Sequence, residues 1–206
     1  MNRIDASLPT ILFSLCALFT SAASFADAGQ VKEISGSVTV ERGGLTLTLA
    51  KDAAIQSGDI LVTSDTGTVG VQMVNGEEIY LRPNSNFTIE QFSAPTTPSN
   101  PATGRSFYSL LKGAFRVITK SLGRRGLDSY RISTPVATIG IRGSIVIGAF
   151  DVANGLSTGV EEGAAFVTNA AGTVEVPAGG FATVTSATVA PAASSTPTAR
   201  GAAITK

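Results

Sequence analysis

No stretch of ten or more residues in this chain carries the 3.6-residue period of an amphipathic helix, whereas Gly and Asn-Gly repeatedly interrupt short runs rich in Val, Ile, Thr and Phe. That punctuation specifies an all-β fold of short strands. Val69 to Val74 against Glu77 to Arg82 reads as a hairpin, with Asn75-Gly76 suited to the positive φ angles of a type I′ turn. Asn154-Gly155 offers a second, joining 144–152 to 156–162. In Asn86-Phe87-Thr88-Ile89-Glu90 strict alternation turns Phe87 and Ile89 toward a core, and the same logic buries Tyr130 and Ile132 on the side opposite Arg131. A glycine opens an apolar run at Gly36, Gly113 and Gly163, at unequal spacings. This suits either a solenoid-like roll with glycines at its corners or a β-sandwich with glycine turns.

Composition removes several chemistries. The chain has no His, so neither a Ser-His-Asp or Cys-His unit nor an imidazole zinc site can form. Its 15 Lys+Arg balance 15 Asp+Glu, which argues against nucleic-acid binding. The acid pairs Glu77-Glu78 and Glu161-Glu162 lie beside expected turns and read as solubility features, and no Asp-rich calcium loop is present. The expectation is a non-enzymatic domain without metal or cofactor.

The N-terminus reads as a cleavable signal peptide over residues 1–26. Arg3 supplies positive charge, Leu8 to Thr20 an apolar run, and Ser24-Phe25-Ala26 small residues at the two inspected positions. An apolar run of this length falls short of the ~20 residues a spanning helix needs, so no transmembrane segment is expected in the mature chain. Cys16 leaves with the signal, and the mature domain makes no disulfide. Export to a Gram-negative periplasm or beyond follows. A single β domain is expected over 27–185. Within it Ser93 to Arg105, with three prolines among small polar residues, reads as a long loop, and the Ala/Ser/Thr/Pro-rich segment 186–206 as a disordered tail.

The run Tyr130-Arg-Ile-Ser-Thr-Pro-Val-Ala-Thr-Ile-Gly-Ile-Arg-Gly-Ser144 resembles the signature of the FecR domain, with Ser144 where the family pattern has Thr. Residues 57–63, 71–85 and 111–117 are similar to the rest of that domain in the same order. The resemblance spans roughly residues 31–150, with a β extension to about 185. It implies a stand-alone exported module that binds an envelope protein partner, with a link to metal-uptake signalling. A self-associating component of the cell surface or matrix is the alternative.

The signature residues are Thr134, Pro135, Ala137, Gly140, Arg142, Gly143 and Ser144. Thr134-Pro135 favours extended backbone at a strand start or corner, and Gly140 and Gly143 permit tight turns beside Arg142. Arg142 reads as a partly buried guanidinium that satisfies loop carbonyls or a carboxylate such as Asp59, with partner binding as the other possibility. Gly143-Ser144 also has the chemistry of a self-cleaving pair, a hydroxyl following a glycine. Residues 105–142 hold eight basic side chains against Asp128 alone, while 27–104 hold nine acids against four bases. Arg116, Lys120, Arg124 and Arg125 are thus candidates for a basic patch that attracts acidic protein surfaces, anionic lipid headgroups or lipopolysaccharide phosphates.

Overall fold

The computed structural model describes residues 27–94, 104–119 and 128–194, omitting the side chain of Ser144. In chain order the strands are β1 (Asp27–Ser35), β2 (Val38–Arg42), β3 (Leu45–Thr48), β4 (Ala54–Gln56), β5 (Ile60–Thr63), β6 (Thr68–Met73), β7 (Glu78–Leu81) and β8 (Asn86–Ser93). They continue as β9 (Arg105–Ile118), β10 (Tyr130–Ser133), β11 (Thr138–Asp151), β12 (Gly155–Asn169), β13 (Gly172–Pro177), β14 (Phe181–Val184) and β15 (Ala192–Ser194). No helix occurs among the described residues, and so none long and apolar enough to cross a membrane.

The strands form one continuous sheet folded over on itself into two layers. One layer runs β3-β2-β5-β8-β9-β10-β11-β12-β13 and the other β4-β1-β6-β7-β9-β11-β12-β14-β15. Strands β9, β11 and β12 belong to both, and each changes layer at a glycine with positive φ: Gly113 (97°), Gly143 (62°) and Gly163 (83°). Before Gly113, β9 pairs β8 and β10; from Gly113 onward it pairs β7 and β11. Gly143 and Gly163 flank a register shift between Arg142↔Ala164 and Ile145↔Glu162, so both strands bend together. All pairings are antiparallel except β9 with β10. The arrangement is therefore a roll closed into sandwich form, uniting the two architectures that the glycine pattern left open.

Alternation fills the space between the layers. Phe87 and Ile89 are fully buried as expected, and so are Tyr130 and Ile132. The Phe87 ring of one layer meets the Phe115 ring of the other at 6.2 Å between centroids, inside one core that draws on both layers. On the outside of the first layer, the Arg131 guanidinium lies 3.9 Å from the centre of the Phe107 ring.

Both expected hairpins form, but neither has a type I′ turn. At Asn75-Gly76 only the glycine takes a positive φ, 85°. The Asn75 Oδ1 accepts the Glu77 N–H at 3.0 Å and the Gly76 N–H donates to the Met73 carbonyl at 2.9 Å, which gives a three-residue loop ending in a left-handed glycine. Asn154-Gly155 repeats this, the Asp151 Oδ1 accepting the Asn154 N–H at 2.8 Å and Gly155 alone at φ 75°. In each case a side-chain acceptor satisfies the turn without a second left-handed residue. The two-residue turn with both φ positive is Gly43-Gly44, between β2 and β3.

Ordered structure continues past residue 185. The Asn169 side-chain amide donates to the carbonyls of Ser186 (3.3 Å) and Val189 (2.7 Å), and β15 then pairs with β14. Backbone pairing needs no bulky side chain, which is why small residues suffice there. The expected loop at 93–105 is framed by the paired Ser93 and Arg105. The expected signal peptide over residues 1–26, the interior of that loop and residues 195–206 lie outside the described residues.

Glu77 corrects the solubility reading. Its side chain is fully buried and joins the layers, for its carboxyl accepts hydrogen bonds from the hydroxyls of Tyr130 and, at 3.2 Å, Tyr108. Both tyrosines belong to the opposite layer, so removal of the carboxyl would take a buried hydrogen-bond acceptor from two hydroxyls. Glu77→Ala is expected to destabilise the fold by about 3 kcal/mol in urea unfolding, from cavity formation and lost polar pairing, with Glu77→Gln costing distinctly less. Equal stability of wild type and Glu77→Ala would remove this clamp from the account.

Candidate functional site

The signature opens with a turn made by its first residue. Thr134 donates its backbone N–H (2.9 Å) and its hydroxyl (2.8 Å) to the Ala137 carbonyl, and its hydroxyl oxygen faces the Ala137 N–H at 3.2 Å. Pro135 sits at the exposed tip, where no N–H is required, and Ala137 is buried. Gly140 is buried opposite Phe166, and Gly143 with Ser144 forms the bulge that bends β11. These residues build the β10–β11 hairpin and its corner.

Arg142 departs from expectation. It is exposed, its guanidinium 5.9 Å from the centre of the Phe166 ring, because it lies at the bulge and its side chain leaves the sheet outward. Asp59 is fully buried but takes Arg42, whose Nε and Nη2 donate to its two oxygens at 2.6 Å each. The Gln56 N–H adds a bond at 2.8 Å. Arg42 also donates to the Ala54 carbonyl at 2.9 Å, so one guanidinium joins β2 of one layer to β4 of the other. This pairing, together with the nearby charge of Asp27, outweighs partial burial and raises the Arg42 pKa.

Of the basic candidates, Arg116 is described, while Lys120, Arg124 and Arg125 lie outside the described residues. Arg116 is not a solitary cation: it grips Glu161 with Nε at 3.2 Å and Nη2 at 2.7 Å, both side chains about a third exposed. It stands at the end of a cross-strand row, Glu33–Gly70–Tyr80–Arg116, on the outer face of β1, β6, β7 and β9. A groove of about 380 Å³ runs here. Gly70 leaves its floor low, since a Cβ there would come within 3.0 Å of the Tyr80 ring and closer still to Glu33. Tyr80 is half-buried and donates to Glu78 at 2.9 Å, and Arg82 lines the groove with no ion pair among the described residues. The groove thus offers an aromatic edge among two cations, Arg82 and Arg116, and one acid, Glu33, a surface suited to a polar polypeptide segment. Among the described residues no cluster of His, Cys, Asp and Glu could hold a metal.

The FecR protein family matches residues 59–166, more than half of the chain. The chain belongs to the FecR family. The match begins at buried Asp59 and ends at Phe166, the ring beside Arg142. In fold, this FecR chain is similar to the crystal structure of a candidate anti-sigma factor from Parabacteroides distasonis ATCC 8503, with a TM-score of 0.50 at 10% identity. The likeness covers 66% of this chain and 58% of that one, so the chain matches little more than half of that protein's length. A second crystal structure described in the same words matches at 10% identity and a TM-score of 0.48. No curated protein matches the chain.

Sequence reasoning did not single out Tyr80, Arg82 or Gly70. The signal was present, because alternation in Glu78-Ile79-Tyr80-Leu81 buries Ile79 and Leu81 and turns Tyr80 outward. The Asn75-Gly76 hairpin already sets β6 beside Tyr80, but that β9, with Arg116, lies on its other side could not be read without the register.

Partial burial, then the hydrogen bond and charge of Glu78, push the Tyr80 hydroxyl up to about 12, with Glu33 adding and Arg116 opposing. The folded chain holds this proton more tightly than an unfolded one, whose tyrosines titrate near ~10. The contribution to stability is therefore complete below about pH 10 and is lost as pH rises through the folded-state value. The chain has no Trp, so ultraviolet difference absorbance reads tyrosine directly. Glu78→Gln is expected to bring one of the three tyrosine titrations down toward the ordinary value. An unchanged profile would separate Tyr80 from Glu78.

Proposed function

We propose that this FecR chain is a non-enzymatic binding module of the cell envelope, exported to the periplasm or beyond, which receives a protein partner on the outer face of β1, β6, β7 and β9. The observation that carries the reading is the groove in which Tyr80 stands between Arg82 and Arg116 over the low floor at Gly70. Family membership supports a signalling role, and the fold likeness to a candidate anti-sigma factor agrees with it. A link to metal-uptake signalling is the family-level extension of this proposal. The basic segment with Lys120, Arg124 and Arg125 would add long-range attraction for an acidic partner or for anionic lipid.

The other reading, a self-associating component of the surface or matrix, draws on strand β3, whose four residues are all exposed.

A pull-down from envelope extract at low and moderate salt, with full-length wild type beside Tyr80→Ala/Arg82→Ala and Arg124→Ala/Arg125→Ala, tests the first reading. The expected result is one specific partner, lost with the groove variant and retained at reduced yield with the basic-segment variant as salt rises. Equal recovery by all three proteins would move the binding face elsewhere, and no specific recovery would remove the reading.

A further inference from the structure

Strand β3 is an edge whose shortness, four residues, is its protection. Among the described residues it pairs only with β2, and its sequence Leu45-Thr46-Leu47-Thr48 has no charge, no proline and no bulge. The Leu49 N–H donates to the Val38 carbonyl at 2.9 Å, so odd-numbered peptide groups of this segment face β2 and those of Thr46 and Thr48 face away. Leu47 lies opposite Val40, which is 3% exposed, so both leucines of β3 point to the core side of the layer. There the core has ended: Leu45 is 65% and Leu47 48% exposed.

We propose that β3 pairs antiparallel with β3 of a second copy of this chain, about a two-fold axis through Leu47. In that register Thr46 lies opposite Thr48 of the second copy and Thr48 opposite its Thr46. All four outward-facing N–H and C=O groups of each strand are then paired. Leu47 meets Leu47 at a non-hydrogen-bonded position, where opposed Cα atoms approach to ~4.5 Å and side chains are closest. A shift by one residue would set Leu against Thr across the whole contact.

The occupant is a second β3 because the strand complements itself, apolar on apolar and threonine on threonine, with no charge to repel. The far edge of the same layer cannot serve, since β13 carries Glu175 and ends at Pro177. β3-to-β3 pairing therefore closes as a dimer and does not propagate into a fibre. This goes beyond the binding reading and leaves its groove open, because the groove lies on β1, β6, β7 and β9.

Leu47→Cys in a Cys16→Ser background tests the axis, since a ~4.5 Å Cα separation lies within disulfide range. On mild oxidation full-length Leu47→Cys is expected to convert to a covalent dimer. Thr46→Cys, whose symmetry mate lies diagonally at ~7–8 Å, stays monomeric on the gel. In sedimentation equilibrium the wild type is expected to move toward twice the monomer mass with rising concentration, and Leu47→Lys to remain at monomer mass. Circular dichroism that matches wild type keeps folding out of the comparison. A wild type that stays monomeric throughout, crosslinking of Thr46→Cys in preference to Leu47→Cys, or growth beyond the dimer would each overturn the proposal.

Discussion

The left-handed backbone at Gly113 is the constraint on which the rest of the structure depends. A Cβ at this position would lie 2.3 Å from the Cα and Oγ of Ser85, so β9 passes directly over that residue as it leaves one layer for the other. Ser85 is fully buried. Its hydroxyl donates to the Arg82 carbonyl at 2.7 Å and accepts the Ala114 N–H at 3.0 Å, while the Thr63 hydroxyl oxygen accepts the Ser85 N–H at 2.8 Å. Three of the family-like blocks, 57–63, 71–85 and 111–117, thus meet in one buried network at the corner of the roll, through Thr63, Ser85 and Gly113-Ala114. Every polar atom of that corner must be satisfied within it, and a side chain on residue 113 would push the network apart.

Two further polar contacts hold the layers together away from this corner. Glu77 reaches Tyr108 and Tyr130 across the core, and the Arg42 guanidinium ties buried Asp59 to Ala54 at the edge. Buried ionic and polar contacts such as these add little net stability over apolar packing, but loss of one partner is costly. The signature residues build the turn and bulge of β10–β11, while Tyr80, Arg82 and Arg116 stand on an outer face, on strands fixed from beneath.

Much of the fold was legible because alternation is local. Phe87, Ile89, Tyr130 and Ile132 declare their burial within five-residue windows, and Gly113 and Gly163 mark corners that the structure places inside long strands and not at their starts. The partner of Asp59 was not legible: Arg42 and Arg142 are equally plausible from sequence, and only the meeting of β2 with β4 decides between them. Glu77 was misread for the same reason, since an acid beside a turn looks solvated until two tyrosines from distant strands close over it. The groove also exists only through register, which brings Glu33, Gly70, Tyr80 and Arg116 from four strands into one row.

Denaturant unfolding of Gly113→Ala beside Gly58→Ala tests the central claim most directly. Both glycines have similar positive φ, 97° and 90°, but nothing lies within 4 Å of a Cβ at Gly58. Gly58→Ala therefore measures the backbone cost alone, about 1–2 kcal/mol. Gly113→Ala should lose roughly 2–3 kcal/mol more, the overpacking of β9 against Ser85. Equal losses from the two substitutions would contradict the account, because β9 would then cross between the layers without needing the space that Gly113 leaves.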